Sequence, residues 1–327
     1  MIDLEDIRAA EARIRPHIRR TPVLAVSGTQ DPLPLTAEVT LKLELFQVTG
    51  SFKARGAMNR LLGATDPLPA AGIVTASGGN HGLAVARTAH AAGVPAVIFV
   101  PAGVSPAKVT KMRRWGAEVR IEGADWSQSN MAALAHATAT GAHYFHPFAD
   151  PLVVAGQGTL GLELLEQVPE MDTVVIAVGG GGLISGLGTA LKALRPGVRI
   201  IAVEPEGSPT LKASLDAGYP VELPAITSRI PTMSCRQTDA RILELAQRNV
   251  AEVVLLPDSA MQAAAEWLWF EFGIAADLAG SAAVAAIRSG HATFSQSGHI
   301  CALVCGAGAE GTADEPVGGT GHAGTVG

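Results

Sequence analysis

The stretch TVVIAVGGGGLISGLGTAL, Thr173 to Leu191, decides how this chain folds. Its 19 residues carry no charge, close to the length of a membrane span. Six of them are glycine, however, and four of those are consecutive; a helix through lipid does not carry such a run comfortably. The stretch therefore reads as a buried strand, TVVIAV, a bend of four glycines and a helix that starts at Leu183. Such a bend turns backbone N–H groups inward, and the following helix start adds the positive end of its dipole, so the site suits a phosphate. A floppy linker is not expected between a strand and a helix unless something approaches the backbone closely.

Outward from this stretch, short apolar runs alternate with helical ones. GIVTA precedes HGLAVARTAHAAG, AVIFV precedes PAKVTKMRRWG, EVRIE precedes DWSQSNMAALAHATATG, and a short HYFHP follows. A second set contains VVAGQGTLGLELLEQV, TVVIAV, LISGLGTALKAL, VRIIAVEP, EVVLLP, SAMQAAAEWLWFEF and HICALVC. Short apolar strands flanked by longer helices imply parallel sheets covered on both faces. The fold class is α/β, with two lobes that each hold an open, mostly parallel twisted sheet flanked by helices. EVTLKLEL, Glu38 to Leu45, alternates apolar and polar residues and is expected to be a half-exposed strand. Residues 1–69 with 151–310 are expected to form a large domain, and 70–150 a small one inserted in it. The Gly-rich tail 311–327 is expected to be disordered, and the cleft between lobes is the natural ligand site.

Composition narrows the work done there. Of the 327 residues, 48% are hydrophobic and 17% charged, enough to bury large cores. Lys and Arg number 24 against 30 Asp and Glu, which argues against nucleic acid or an anionic membrane and favours a small-molecule substrate. The opening MIDLEDIRAAEARI is acidic where an export signal is basic and then apolar. The three cysteines, Cys235, Cys301 and Cys305, give no disulfide framework. A cytoplasmic location is expected.

The phosphate is not held by a P-loop, because no Gly-Lys-Ser/Thr ending follows the glycines, and the dinucleotide spacing is absent too. Glu204 ends the next strand, where a ribose-binding acid lies in a Rossmann fold, so a nicotinamide-dependent oxidoreductase is the alternative from another class. Two further motifs favour a small monophosphate. GSFKARG, Gly50 to Gly56, sets Lys53 after an aromatic in a poorly charged neighbourhood. SGGNHG, Ser77 to Gly82, lies between a strand and an Ala-rich helix and offers backbone donors, the Ser77 hydroxyl and the Asn80 amide. That is a nest for a carboxylate built from Ser77, Gly78, Gly79, Asn80 and His81.

With SFKARGA, SGGNHG, GQGT at Gly156 to Thr159, GGGGLISG and CGAG at Cys305 to Gly308, the chain resembles the serine/threonine dehydratase group of the tryptophan-synthase-β family. These are the fold type II enzymes that use pyridoxal 5'-phosphate. The resemblance runs from about Leu4 to Gly308. It implies that Lys53 holds the cofactor as a Schiff base and later takes the substrate Cα proton, with Ser77 as the second catalytic candidate. Phe52 would pack on the pyridine ring and Asn80 would bond its hydroxyl. Gly179, Gly180, Gly181, Gly182 and Leu183 would cradle the phosphate, and Cys305 would face the pyridine nitrogen. Taken alone, Cys305 reads more commonly as an inert core cysteine beside Cys301 on a buried strand, and only the motif context raises the functional reading.

A thiol gives the ring nitrogen little reason to protonate, so β-elimination is expected over transamination. The implied reaction dehydrates and deaminates L-threonine to 2-oxobutanoate, or L-serine to pyruvate, with release of ammonia. Racemases of the family carry a serine two positions before the motif asparagine; here that place is Gly78, so racemisation ranks lower. A non-catalytic pyridoxal phosphate-binding protein is a further alternative. Family members with a divalent-cation site pair a glutamate with an acid six residues on. Glu204 matches, Thr210 does not, and no metal is expected. ADLAG, Ala276 to Gly280, stands where relatives show Glu-Pro, so Asp277 points to a modified substrate such as 3-hydroxyaspartate or a hydroxyectoine-derived amino acid. His143 and His146 alternate along a strand and read as satisfied strand residues. Trp267 and Trp269 read as packing at a lobe or subunit contact, and a homodimer is expected.

Overall fold

Continuous apolar runs such as AVIFV and TVVIA can be buried on both faces of a sheet, and that is where they lie. The computed structural model describes residues 2–312. The strands are β1 (Val23–Ala25), β2 (Glu38–Lys42), β3 (Ile73–Ala76), β4 (Ala96–Val100), β5 (Glu118–Ile121), β6 (His143–Tyr144), β7 (Thr173–Ala177), β8 (Arg199–Pro205), β9 (Glu252–Leu256) and β10 (His299–Leu303). Six form one sheet in the order β1-β2-β10-β7-β8-β9, and four form another in the order β5-β4-β3-β6. Every pairing is parallel except β1 with β2. Residues 73–144 thus supply the smaller sheet, and the segments before and after them the larger. All residues of β3, β4 and β7 are buried, as helix-covered parallel strands require. No helix of the described residues is long and apolar enough to cross a membrane.

The strand β2 departs from the expectation of a half-exposed strand. It ends at Lys42, a turn of 3-10 helix spans Glu44–Phe46, and Val39 through Lys42 are all buried. On the polar side of the alternation Glu38 is exposed and Thr40 Oγ1 meets His299 Nε2 at 2.9 Å, while Lys42 and the following Glu44 face an internal ion network instead of water. Lys42 Nζ donates to Glu163 Oε1 at 2.5 Å, to the carbonyl of Thr21 at 2.7 Å and to Gln167 Oε1 at 2.6 Å. Arg55 donates to both oxygens of Glu44 at 2.6 and 2.8 Å and to Glu163 Oε2 at 2.9 Å. Burial opposes the charge on Glu163, but Arg55 and Lys42 outweigh it and hold its carboxyl below the usual range. The network ties the helix Lys53–Leu62, which carries Arg55, to the helix Pro151–Gln167 and to β2.

Two smaller expectations also shift. Gly311 is buried and the hydroxyl of Thr312 donates to the carbonyl of Ala309 at 2.8 Å, so the first two residues assigned to a disordered tail are packed; the remainder, 313–327, lies outside the described residues. Trp267 is buried and its indole N–H donates to the carbonyl of Asp31 at 2.9 Å, whereas Trp269 and Phe270 are exposed.

Candidate active site

The carboxyl ends of β3 and β7, from the two sheets, open into the loops Ser77–Gly79 and Val178–Gly181, and the SFK segment joins them from the end of β10. Ser51 bridges to Gly306, and the Phe52 N–H donates to the carbonyl of Cys305 at 3.2 Å. This pins Lys53 at the first position of its helix. Lys53 Nζ lies 5.1 Å from the centroid of the Phe52 ring and donates to the carbonyl of Pro147 at 2.7 Å. Burial pushes its amine down to about 8, so a far larger fraction is neutral and nucleophilic near physiological pH than for a lysine in water.

The tetraglycine bend has the geometry of an anion cradle. Gly181 takes φ +86°, a left-handed conformation that a side chain rarely adopts, and caps the helix Gly182–Leu194. Its first-turn N–H groups are left for a ligand. Phe148 forms the wall of this bend: a Cβ on Gly180 would meet its ring at 2.2 Å.

The SGGNHG segment starts the helix Asn80–Ala92 with Gly79 as cap. Ser77 Oγ accepts from the Gly79 N–H at 3.3 Å, and the N–H groups of Asn80, His81 and Gly82 have no intrahelical acceptor. His81 contributes only its backbone to this nest. Its ring is buried with Nε2 3.2 Å from the carbonyl of Phe145, and burial, with the charge of Lys53, pushes it down to about 3. Asn80 is also buried, and its Nδ2 donates to Asp277 Oδ2 at 2.9 Å. Both Asp277 oxygens are spent internally, since Oδ1 accepts from the Gly280 N–H at 2.6 Å. The carboxylate is therefore an internal partner and not a free contact for a substrate side chain.

Cys305 is buried, and its Sγ donates to the carbonyl of Ala279 at 3.3 Å. Burial, then the nearby Asp277, pushes the thiol well above its usual range, so it stays neutral. Glu204 is turned toward the backbone of the helix Thr210–Ala217. Its two oxygens accept from the N–H groups of Leu211 and Lys212 at 2.8 and 2.9 Å, and no group of three potential ligands of the His, Cys, Asp or Glu type occurs among the described residues. Thr210, in place of an acid, turns its hydroxyl to the carbonyl of Cys235.

Several contributors escaped the sequence reading. His146 stands outside β6, and its Nδ1 accepts from the N–H groups of Phe148 and Ala149 at 3.2 and 2.9 Å. Burial, then the charge of Lys53, pushes it down to about 4, which leaves a neutral ring with its proton on Nε2. Pro147 and Phe148 carry the Lys53 acceptor and the cradle wall. Thr232 touches both loops, since a Cβ on Gly79 would meet its methyl at 3.2 Å and one on Gly179 its carbonyl at 3.0 Å. The His-Pro-Phe run beside a lobe boundary was the available signal.

A family model described as pyridoxal-phosphate dependent enzyme matches residues 14–306. The chain is 38% identical to an L-threonine ammonia-lyase of Thermotoga maritima over 88% of its length and 71% of the relative's. It is 36% identical to a phenylserine dehydratase of Ralstonia pickettii over 93% of its length and 92% of the relative's. Among solved structures, maize serine racemase superposes with a TM-score of 0.87 at 32% identity, covering 93% of each chain. A threonine deaminase from T.th. gives a TM-score of 0.85 at 34% identity, covering 96% of this chain and 99% of that one.

Proposed function

Because the chain belongs to the pyridoxal-phosphate dependent enzymes, we propose that it is an ammonia-lyase that converts L-threonine or L-serine to the 2-oxo acid and ammonia. The observation that carries this reading is a Lys53 amine lowered to about 8 that donates to the Pro147 carbonyl, while the adjoining Phe148 packs on Gly180 of the helix-capped tetraglycine bend. The residues fit the cofactor. Gly180 leaves no room for a side chain beside Phe148, and the wholly buried Ser51 Oγ next to Lys53 has no partner among the described residues.

In this reading Lys53 would hold the cofactor covalently, the Gly179–Gly182 backbone with Leu183 would hold its phosphate, and Phe52, Asn80 and Cys305 would serve its ring, its hydroxyl and its ring nitrogen. Bound there, pyridoxal phosphate supplies the electron sink for carbanion formation at Cα. The Ser77 hydroxyl and the N–H groups of Gly78 to His81 bind the substrate carboxylate and fix the Cα–H bond toward Lys53 Nζ, which takes the proton as a neutral amine. Facing the ring nitrogen, the neutral Cys305 thiol would offer it no strongly acidic proton. When not bonded to the cofactor, the Lys53 amine has the Pro147 carbonyl as its acceptor at 2.7 Å.

Serine racemisation is the second reading, favoured by the rice and maize relatives. It requires a proton donor on the opposite face, and the geometry at Gly78 supports elimination instead: a Cβ there would meet Val104 Cγ2 at 2.8 Å, so the place of a second acid is filled by an apolar side chain. We further assign residues 70–150 to a small domain, the three free cysteines to a reducing cytoplasm, and the exposed Trp269 and Phe270 to a homodimer contact.

The test is incubation of purified enzyme with L-threonine, L-serine, 3-phenylserine and 3-hydroxyaspartate, measuring 2-oxo acid and ammonia. Equal release of both from threonine or serine is expected. Enzyme that carries lysine-bound cofactor yet releases neither from either amino acid overturns the reading.

A further inference from the structure

A buried carboxylate without a cation is costly to keep. Asp277 is 2% exposed and has no ion-pair partner among the described residues. Burial raises its carboxyl above the usual range, against the hydrogen bonds it accepts. One oxygen caps the helix Leu278–Arg288 through the Gly280 N–H, a task that a neutral Asn or Ser performs as well. Capping does not account for the charge or for the second oxygen.

The second oxygen reaches Asn80, 197 residues away on the helix that follows β3. A carboxylate only accepts, so Asn80 must turn Nδ2 toward it. Flipping the carboxamide would press two acceptor oxygens together in a buried site. The surrounding backbone is shaped to the pair. A Cβ on Gly306 would meet Asn80 Nδ2 at 2.8 Å and the Asp277 oxygens at 2.8 and 2.9 Å, and a Cβ on Gly280 would meet the Gly306 carbonyl at 2.3 Å. Three separate motifs, SGGNHG, ADLAG and CGAG, thus converge on one hydrogen bond beside Cys305.

We propose that Asp277 is a positioning residue that locks the Asn80 carboxamide in a single orientation toward the cofactor ring. This rests on the assignment of Asn80 to the cofactor given above. In this role Asp277 needs no contact with substrate or cofactor, since its oxygens meet Asn80 and Gly280; it acts by fixing which edge of Asn80 is offered and by removing the entropy of the alternative orientation before the cofactor arrives.

The test compares wild type, Asp277→Asn, Asn80→Ala and the double variant by titrating apoenzyme with pyridoxal phosphate and by thermal unfolding of the apoenzyme. Asp277→Asn keeps the cap, so the unfolding temperature stays near wild type. Its amide turns a donor toward Asn80, so the dissociation constant rises about tenfold and the visible band of the lysine-bound cofactor shifts. In the Asn80→Ala background, Asp277→Asn adds nothing. Unchanged affinity and band position in Asp277→Asn overturn the proposal, as does an equal loss in the Asn80→Ala background. Wild-type apoenzyme that binds no cofactor at Lys53 refutes the parent assignment instead. Should Asp277→Asn not fold, Gly306→Ala separates the same pair and must reproduce the loss.

Discussion

Phe148 and Gly180 are in such close contact that a Cβ on the glycine would sit 2.2 Å from Cδ1 of the ring. The ring is held in turn edge-on to His146, with centroids 4.6 Å apart, so it cannot withdraw freely. Gly180→Ala must therefore displace either the ring or the bend, at the roughly 1–3 kcal/mol typical of overpacking. The expected outcome is a cofactor dissociation constant raised roughly tenfold or more, measured by absorbance titration of the apoenzyme. Phe148→Ala in the same chain should restore part of the loss.

The lowered amine of Lys53 predicts a pH profile for cofactor attachment. Below about 8 the amine is protonated and not nucleophilic, so the attachment rate should climb about tenfold per pH unit and level off above 8. A lysine in water would continue to climb toward its ordinary 10.5. Stopped-flow absorbance on apoenzyme distinguishes the two, and Lys53→Ala should show no attachment at any pH.

The Lys42–Glu163–Arg55–Glu44 network makes a stability prediction. Glu163 sits between two buried cations at 2.5 and 2.9 Å, so Glu163→Gln leaves Lys42 without a paired carboxylate and Arg55 with Glu44 alone. Breaking a buried pair from one side costs about 3–5 kcal/mol. Chemical denaturation should report a loss of that order, and a loss under about 1 kcal/mol would show that Glu44 alone suffices for Arg55.

This network also shows where the sequence stopped being legible. The sheets were readable because strands buried on both faces leave unbroken apolar runs, and the glycine bend was readable because few structures other than a close approach explain it. The polar half of β2 was misread because its partner Glu163 is 121 residues from Lys42, and alternation along a strand cannot distinguish water from a buried counter-ion. His81 and His146 were illegible for a related reason: one ring meets the carbonyl of Phe145 and the other the N–H groups of Phe148 and Ala149, and spacing along the chain sets neither partner. The pairing of Asp277 with Asn80 was equally invisible, although each motif had been singled out.

Gly78 and Val104 bear on reaction choice. With Val104 Cγ2 2.8 Å from where a Cβ on Gly78 would lie, Gly78→Ser alone is expected to lower the elimination rate by crowding and to add little racemisation. Gly78→Ser with Val104→Ala makes space for the hydroxyl and should raise exchange of the Cα proton with solvent. Deuterium uptake into unreacted L-serine, followed by chiral chromatography, is the measurement; equal uptake in the single and double variants would show that Val104 does not set the limit.

Glu204 gives a prediction whose sign runs against the usual carboxylate. Burial pushes its carboxyl up to about 7 from 4.5 even though backbone N–H groups favour the anion. Between these values the folded state binds more protons than the unfolded one, so this group's contribution to stability declines as pH rises from 4.5 to 7, by about 3 kcal/mol in all. Glu204→Gln cannot titrate and removes that slope, but its amide nitrogen faces the N–H of Lys212 or Leu211 and forfeits one acceptor, at about 1 kcal/mol. The variant should therefore be less stable than wild type near pH 4 and more stable near pH 8, with the curves crossing between. Denaturation at both pH values tests this. Because both Glu204 oxygens already serve the backbone, added magnesium should leave the wild-type curve in place; a magnesium-dependent rise near pH 8 that Glu204→Gln abolishes would instead assign the carboxylate to a cation.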